Sequence, residues 1–298
     1  MRKLVNVPVA TVWTTSQSAR DYDQKALTAI PDIERWIKEM DYDRLMDLHD
    51  RNLIQTQVLY GEEVIVTEEK NGWSAVVIPS QASDKHSNGY PGYIHSAQLV
   101  AKPESWSNHQ QFIIVKDHGA KLVLSELVLK LSFGTILLLD RMEGEIVYVH
   151  TPTGKGYLNR KNIKLYDGEI ADGKSLVETG KQFIGLPYLW AGNSSFGYDC
   201  SGFVYSICRT NGYLIPRDAG EQSRVGNEIK LSEIEPGDAL FFAYEEGKGA
   251  LHHVGLYAGD GKLLHSPKTG KTIEIIELQG TIYEKELCKA RRYVRDMV

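Results

Sequence analysis

The residue best suited to chemistry in this sequence is Cys200, which follows an aspartate in the segment YDCSGF. Phe203, Val204 and Ile207 stand three, four and seven residues after it. This spacing predicts a helix from Cys200 to about Thr210. A thiol at a helix N-terminus meets the positive end of the helix dipole and unpaired backbone N–H groups, which lower its pKa. The position therefore favours a nucleophilic thiolate, whereas the ordinary interpretation of a cysteine is a small buried hydrophobic residue.

Cysteine catalysis also needs a base within reach of the thiol and a third group that orients this base. The segment HHVGLYAGDGKLLHS offers His253 and His265 on the two strands of a predicted hairpin. A three-residue loop from Gly259 to Gly261 leaves His265 diagonal to His253, and a turn centred on Gly259 sets them directly opposite. Both registers predict two histidines on one face. A tight turn with only Asp260 and Gly261 at its corners would instead place them on opposite faces.

Two other interpretations of the histidines remain open, which are polar residues at strand ends and a metal site. His252, His253 and His265 could be three ligands, but neighbouring residues on a strand point to opposite faces. We therefore expect no metal. Cys208 and Cys288 complete an odd set of three cysteines without a CxxC pair, which argues against a disulfide framework and a structural zinc site.

The composition of the chain limits the kinds of partner that we expect it to bind. The chain has 298 residues and a formal net charge of -5, with lysine and arginine scattered along it, so we expect no nucleic-acid partner. No segment reaches the roughly 18 consecutive apolar residues of a membrane span. The opening MRKLVNVPVATVWTTS lacks the apolar run and cleavage site of a signal peptide. We therefore expect a cytoplasmic protein with no membrane partner.

The elements before residue 168 are short alternating apolar runs, such as QVLYGEEVIVTEEKNGWSAVVIP, separated by Gly, Asn and Pro. This pattern is typical of small β-barrels or sandwiches. Two such units fit, at 1–103 and 108–168, with AKPESWSNHQQ as the joint. The first contains AIPDIERWIKEMDYDRLMDLHD, in which apolar residues recur at helical spacing, so we expect a helical insertion there.

The pattern changes after YDGEIADGKS. A helix is predicted from Lys174 to Ile184, then the helix that begins at Cys200, and then the strands DALFFAY, HHVGLYA, KLLHSP and TIEIIEL. Helices followed by a run of strands indicate an α+β domain, at 172–298. The sequence therefore predicts a multidomain protein, with two small β units before an α+β domain.

Four separated motifs, YLWAG, DCSGFV, PRDAGEQ and HHVGLYAGDGKLLHSP, resemble in order and spacing the NlpC-type cysteine peptidases, a papain-like family that cleaves bacterial cell-wall peptides. The segments LYGEEVIV, NGW and GYIHSAQL resemble bacterial SH3-like domains, and the second β unit resembles them more weakly. The resemblance thus implies two SH3-like β-barrels followed by a papain-like α+β peptidase domain. This arrangement is similar to that of γ-D-glutamyl-L-diamino acid endopeptidases that recycle wall peptides.

The resemblance implies a role for each motif residue. It makes Cys200 the nucleophile, His253 the base and His265 the group that orients the base. Tyr188 would help the Cys200 backbone N–H to stabilise the oxyanion. The residues implied at the D-glutamyl part of the substrate are Asp199 and Ser201, and Arg217 and Asp218 are implied on a loop that faces the substrate. Without the resemblance, several of these residues have an alternative structural role. Tyr188 could be a core aromatic residue, Asp199 a helix cap, and Arg217 and Asp218 a surface ion pair.

In relatives of the recycling type, an acid and a tyrosine of the first SH3-like domain hold the free amine of L-alanine. Glu62 and Tyr93 match them, Glu63 is an alternative to Glu62, and an ordinary strand-edge acid is the competing interpretation of either glutamate. The implied reaction hydrolyses the γ-D-Glu to L-diamino acid bond of free wall peptides and releases L-Ala-γ-D-Glu, without any cofactor. The sequence leaves diaminopimelate and lysine open as the third residue.

Two other functions compete with this one. The first is a secreted peptidoglycan hydrolase that its SH3-like domains anchor to the wall, against which the absent signal peptide speaks. The second is a binding protein with an inert peptidase domain. The presence of Cys200, His253 and His265 together argues against an inert domain.

Overall fold

A computed structural model describes residues 1–103, 106 and 111–294. Contacts divide this described chain into two compact units: Met1–Ser80, Lys85–Asp167 and Ser194–Phe196 form one, and Gln81–Asp84, Gly168–Asn193 and Gly197–Val298 form the other. The predicted joint at 101–111 lies largely outside the described residues. No helix in the described ranges combines the length and apolarity that crossing a bilayer would need.

The first unit opens with an antiparallel sheet in the order β3-β2-β6-β5-β4-β1-β7. Its strands are β1 (Arg2–Val5), β2 (Val9–Trp13), β3 (Ile54–Leu59), β4 (Glu63–Lys70), β5 (Trp73–Ile78), β6 (Tyr90–His95) and β7 (Leu99–Ala101), with a 3-10 turn at Ser96–Gln98. Alternating β-branched residues such as Val12, Val64 and Val76 form its buried core. The alternation expected from the sequence is therefore the one that packs this sheet.

Helices are inserted between β2 and β3, as the apolar spacing predicts. They are α1 (Gln24–Leu27), α2 (Ile33–Glu39) and α3 (Tyr42–Asp50), after a 3-10 turn at Asp21–Asp23. Asp32 caps α2 by accepting from the Arg35 N–H at 3.0 Å, and Trp36 of the same helix is buried and donates from Nε1 to Asp23 at 2.8 Å. The insertion is therefore an integral part of this unit's core.

A second antiparallel sheet of the same unit has the order β10-β9-β13-β12-β11-β8-β14. Its strands are β8 (Phe112–Val115), β9 (Ala120–Val123), β10 (Val128–Leu131), β11 (Ile136–Glu143), β12 (Ile146–Thr151), β13 (Gly154–Asn159) and β14 (Ile163–Tyr166), with a 3-10 turn at Arg160–Asn162. Ile113, Leu137 and Val149 lie in its core, together with Tyr60 from the end of the first sheet.

The second unit combines helices with an antiparallel sheet in the order β17-β22-β18-β19-β20-β21. Its helices are α4 (Gly173–Lys181), α5 (Cys200–Thr210), α6 (Ala219–Gln222), α7 (Tyr244–Gly247) and α8 (Ile282–Glu286), with a 3-10 turn at Leu231–Glu233. The strands of the sheet are β17 (Asn227–Ile229), β18 (Ala239–Ala243), β19 (Leu251–Gly259), β20 (Lys262–His265), β21 (Glu274–Glu277) and β22 (Leu287–Arg292). Two-residue strands β15 (Asn193–Ser194) and β16 (Gly197–Tyr198) precede α5.

The helix that begins at Cys200 is confirmed with both predicted ends, whereas α4 ends three residues before the predicted Ile184. Phe203, Val204 and Ile207 are fully buried. Strand β22 was not predicted, because its sequence LCKARR carries three basic residues and shows no apolar alternation. It nevertheless lies inside the sheet, where Ala290 is buried in the core.

Candidate active site

Cys200 occupies the first position of α5. The carboxylate of Asp199 caps this helix and accepts from the Gly202 N–H at 2.6 Å, so the alternative role as a helix cap is confirmed. The backbone amides of Val254 and Ser201 both act to lower the pKa of the Cys200 thiol, which places them near the sulfur. Because Val254 follows His253 in β19, this proximity brings the sulfur next to the predicted base.

The two predicted histidines form a buried pair. His253 Nε2 lies 2.8 Å from His265 Nδ1, and the rings meet edge to face with their centroids 5.0 Å apart. His253 is 3% exposed and His265 is fully buried. Since Nε2 of His253 is engaged by His265, Nδ1 is the ring nitrogen left to receive a proton from the thiol.

The hairpin between them turns more tightly than predicted. Gly259 pairs with Lys262, which leaves only Asp260 and Gly261 at the corners, with φ of 51° and 73°. The predicted three-residue loop is therefore wrong. These positive φ values are those of a two-residue hairpin turn, which by strand alternation alone would separate the histidines onto opposite faces.

A β-bulge restores the shared face. The pairing shifts between Tyr257 and Gly259, and beyond the shift Leu256 pairs with Leu264. One step further along this register, His265 lies opposite Gly255 and diagonal to His253. The extra residue in β19 thus reverses the effect of the short turn, and the diagonal arrangement of the histidines is confirmed by the observed pairing.

Gly255 is a residue that the sequence reasoning missed. A Cβ built on it would lie 2.9 Å from His265 Cβ and 2.7 Å from a methyl carbon of Leu263. A side chain here would therefore occupy the space across which the His265 ring reaches His253. The signal was a glycine in the middle of a buried strand, which often marks a close approach.

Arg217 forms a buried network with the residues that flank Cys200. Its guanidinium lies 2.8 Å from Asp199 Oδ2 and donates to Ser201 Oγ at 2.9 Å, and the residue is 1% exposed. The alternative of a surface ion pair with Asp218 is therefore wrong, because Arg217 is buried and its carboxylate partner is Asp199. Asp218 is partly exposed and stands immediately before α6.

Gln222 was also missed. Its side chain is fully buried, and Nε2 donates to the carbonyl oxygens of Ser201 and Pro216, both at 3.0 Å. It thereby ties the first turn of α5 to the loop that carries Arg217. Only its place at the end of the PRDAGEQ motif could have pointed to it.

Tyr188 is buried close to the nucleophile. Burial raises its pKa well above the usual range, and the neighbouring Cys200 and Asp199 raise it further. The phenol therefore stays protonated and remains a hydrogen-bond donor near the thiol. This is the protonation state that stabilisation of an oxyanion would require.

Tyr283, from α8, lies over both histidines and was not predicted. Its ring centroid is 5.2 Å from that of His253 and 4.9 Å from that of His265, the latter in a perpendicular contact. Burial raises its pKa to about 12, and the nearby Cys200 adds to this shift. Nothing in the local sequence TIYEKEL distinguishes this tyrosine.

The electrostatics of the site differ from the expected lowered thiol pKa. Cys200 is partly exposed as a residue, but desolvation of its sulfur raises its pKa to about 12 and Asp199 adds to this shift, against the opposing effects of the Val254 and Ser201 amides and of Arg217. Burial and the neighbouring His265 lower the pKa of His253 well below its usual range. At neutral pH the site therefore holds a thiol and a neutral imidazole, which suits proton transfer during attack rather than a preformed ion pair.

His252 lies beside His253 but is held by other partners. Its ring stacks on Tyr244 at 4.0 Å between centroids, and its Nε2 lies 3.1 Å from Glu286. The prediction that strand alternation turns His252 away from His253 is wrong: the two rings are 6.3 Å apart between centroids and 27° from parallel, because β19 is irregular here and Phe242 pairs with His253 but Ala243 with Leu251. Among the described residues, no group of three or more His, Cys, Asp or Glu side chains is arranged to hold a metal ion.

Glu62 and Glu63 of the first unit have different surroundings. Glu62 is 6% exposed, and its Oε2 accepts from the Leu59 N–H at 2.9 Å. Glu63 is paired with the cations of Arg2 and Lys102, the latter at 2.5 Å. The ordinary strand-edge interpretation therefore fits Glu63 better than the buried Glu62.

Tyr93 is level with Ala75 and Glu68 in the first sheet and lines a surface pocket with Trp73. Glu68 in β4 is six residues after Glu62, which immediately precedes this strand, an offset of about 20 Å at the rise of a β-strand. Tyr90, at the other end of β6, lies closer to Glu62 along the sheet. The joint role of Glu62 and Tyr93 toward a substrate stays a prediction.

The sequence of this chain is similar to those of several known proteins. The model of the NlpC/P60 family matches residues 185–292. The chain is 46% identical over 286 residues to gamma-D-glutamyl-L-lysine dipeptidyl-peptidase of Bacillus subtilis (strain 168), covering 95% of this chain and 96% of the relative. It is 37% identical over 303 residues to the protein of the same name from Bacillus cereus (strain ATCC 10987), covering 98% and 91%.

A solved structure agrees with these relatives. The crystal structure of an NlpC/P60 family protein from Bacillus cereus ATCC 10987 at 1.79 Å superimposes with a TM-score of 0.96 at 36% identity, covering 98% of this chain and 99% of that chain. The range 185–292 that the family model matches includes the helix and strands that carry the cysteine and the two histidines. Identity to full-length relatives and similarity of fold lead to one conclusion: this chain belongs to the NlpC/P60 family.

Proposed function

We propose that this protein is a cysteine peptidase that hydrolyses the bond between the γ-carboxyl of D-glutamate and an L-diamino acid in free wall peptides, releasing L-Ala-γ-D-Glu. The observation that carries the proposal is the buried His253–His265 pair, 2.8 Å apart, beside the Cys200 thiol. Both full-length relatives are named for cleavage at γ-D-glutamyl-L-lysine, so we propose that lysine is accepted as the diamino acid.

In this reaction the Cys200 sulfur attacks the carbonyl carbon of the amide while its proton passes to Nδ1 of His253. The negative charge that develops on the carbonyl oxygen is stabilised by the Cys200 backbone N–H and the protonated Tyr188 hydroxyl. His253 then gives its proton to the departing amine as the C–N bond breaks, which leaves a thioester. Water, deprotonated by His253, hydrolyses the thioester and restores the thiol. The side chains present supply each proton transfer, and the proposal includes no cofactor.

The same proposal assigns the substrate side of the site. Asp199 and Ser201 flank the nucleophile and face the D-glutamyl residue, and Arg217 holds both of them from the buried side. Asp218 remains a candidate at the entrance. Because Arg217 is 1% exposed, its role is to position the two flanking residues and to balance the charge of Asp199.

We further propose that the two sheets of the first unit are SH3-like domains, at 1–103 and 108–168, before a peptidase domain at 172–298. Glu62, with Tyr93 or Tyr90, would hold the free amine of the L-alanine residue. A buried carboxylate that loses an ammonium partner is costly, so peptides still attached to glycan would be rejected. Such selectivity suits recycling of wall peptides in the cytoplasm.

The test is a comparison of four substrates: L-Ala-γ-D-Glu-L-Lys, its diaminopimelate analogue, the N-acetylated tripeptide and intact sacculi, with Cys200→Ala as the inactive control. We expect cleavage of a free-amine tripeptide, with L-Ala-γ-D-Glu as a product. Solubilised sacculi would support the wall hydrolase instead. Absence of cleavage of all four substrates would favour an inert domain.

A further inference from the structure

One polar atom of the histidine pair has no hydrogen-bond partner among the described residues. His265 Nδ1 is engaged by His253, but Nε2 on the other side of the ring is buried and unpaired within that part of the chain. A buried ring nitrogen without a partner costs free energy and is rare in native proteins. A group on this side of the ring that could pair with Nε2 would therefore stabilise the histidine pair.

The nearest carboxylate belongs to Glu274 on β21, the edge strand of the sheet. Glu274 is directly opposite His265 in the antiparallel pairing of β20 and β21, so both side chains project from the same face. Its Oε1 lies 3.6 Å from His265 Nε2, which is slightly too long for a hydrogen bond. The Glu274 side chain is 44% exposed, so a small rotation can close this gap without repacking the core.

We propose that Glu274 is a positioning residue that holds the proton of His265 on Nε2. This inference rests on the proposed function. A neutral imidazole carries its proton on one nitrogen only, and a carboxylate beside Nε2 favours that nitrogen. Nδ1 of His265 is then an acceptor for the Nε2–H of His253. His253 consequently presents an unprotonated Nδ1, which is the atom that takes the proton from Cys200.

The charge of Glu274 also acts when His253 becomes an imidazolium during the reaction. The titratable groups that face His265 are His253 on β19, Glu274 on β21 and Tyr283 on α8, and the pKa of Tyr283 is itself raised in part by Glu274. Of these groups, Glu274 is the carboxylate, so it is the one that favours a positive charge on the pair.

The residue arrangement offers a matched control on the same strand. Glu277 lies three residues from Glu274 and is opposite Lys262, with its side chain 63% exposed and its Oε1 3.7 Å from the lysine Nζ. Substitution of Glu277 removes one carboxylate from the same edge strand but leaves the face of the histidine pair unchanged.

The experiment compares Glu274→Ala, Glu274→Gln and Glu277→Ala on L-Ala-γ-D-Glu-L-Lys. For Glu274→Ala we expect kcat to fall about tenfold with KM changed less than twofold, and the acid limb of the kcat/KM profile to move to lower pH, because the imidazolium loses its carboxylate. Glu274→Gln keeps an acceptor oxygen, so it should recover most of kcat but show the same shift of the acid limb. Glu277→Ala should match the wild type in all three quantities.

A second readout does not depend on activity. Histidine side-chain ¹⁵N NMR should show His265 protonated on Nε2 in the wild type and in Glu277→Ala, and a mixture of tautomers in Glu274→Ala. A wild-type His265 protonated on Nδ1, or a Glu274→Ala variant with unchanged kcat and pH profile, would overturn the assignment. A wild type that cleaves no γ-glutamyl peptide but shows the expected tautomer would count against the proposed function and not against this contact.

Discussion

Gly255→Ala is the sharpest perturbation of the site, because it adds a single methyl group where the structure has no room. The new Cβ would lie 2.9 Å from His265 Cβ, 2.7 Å from Leu263 Cδ1 and 3.0 Å from the Leu264 carbonyl oxygen. Ordinary van der Waals contacts between carbons begin at about 3.5 Å, so β20 must move away by several tenths of an ångström. His265 would then withdraw from His253, to which it is now bonded at 2.8 Å.

Two magnitudes follow from this displacement. Overpacking of a buried site costs about 1–3 kcal/mol of stability, so the variant should still fold. A misplacement of about 1 Å at a catalytic group costs about 100-fold in rate, which is about 2.7 kcal/mol in the activation barrier. The displacement here is several tenths of an ångström, so we expect kcat/KM for L-Ala-γ-D-Glu-L-Lys to fall by about tenfold, most of it in kcat.

The assay is steady-state hydrolysis of the tripeptide, with thermal unfolding measured in parallel. Gly220→Ala in α6 is the control, since a Cβ on Gly220 would meet no atom within 4 Å. It should keep both activity and stability. A folded Gly255→Ala protein whose kcat/KM stays within threefold of the wild type would refute the idea that the absence of a side chain at Gly255 allows His265 to approach His253.

Three further predictions concern the electrostatics of the site. Arg217→Met should lower the free energy of unfolding by about 3–5 kcal/mol, because Asp199 is left buried without its cation. Chemical denaturation measures this loss, and a loss below about 1 kcal/mol would contradict the buried network. The kcat/KM profile should be flat near neutrality and fall in acid, since the base works only while neutral and the pKa of His253 is held well below its usual range; an acid limb above pH 7 would contradict this. Alkylation of Cys200 by iodoacetamide in the substrate-free enzyme should accelerate up to about pH 12, and a plateau reached below pH 8 would indicate a thiolate that the structure does not favour.

The local features of the site were predictable from short stretches of sequence. The helix beginning at Cys200 has the predicted ends, because the apolar spacing and the aspartate cap act within one or two turns. The strands that carry His253 and His265 were predictable for a similar reason, because alternating apolar residues and a Gly-rich turn form a pattern within about ten residues.

The register of the hairpin could not be predicted in the same way. The turn at Asp260 and Gly261 is the one that alone would have separated the histidines, and a bulge in β19 compensates for it. A bulge depends on how two strands and their neighbours pack, so no single residue of the segment predicts it. The outcome expected for the histidines was right, but the loop from which it was derived was not.

Contacts between distant segments were beyond the reach of motif reasoning. Arg217 stands next to Asp218 in the sequence, and this adjacency suggested a surface pair, yet its carboxylate partner is Asp199. Tyr283 and Glu274 reach the histidine pair from elements whose sequences carry no sign of it.

The sequence by itself thus determined which chemical groups are present, where the helix of the nucleophile starts and that two histidines lie on adjacent strands, because these depend on residue type and near-neighbour spacing. Only the tertiary structure decided which nitrogen of His253 is engaged, that Asp199 is paired with a buried arginine, and that the pKa of Cys200 is raised rather than lowered. Protonation depends on burial and on charges brought together from distant parts of the chain. The helix terminus favours a thiolate, but the loss of solvent around the sulfur outweighs it.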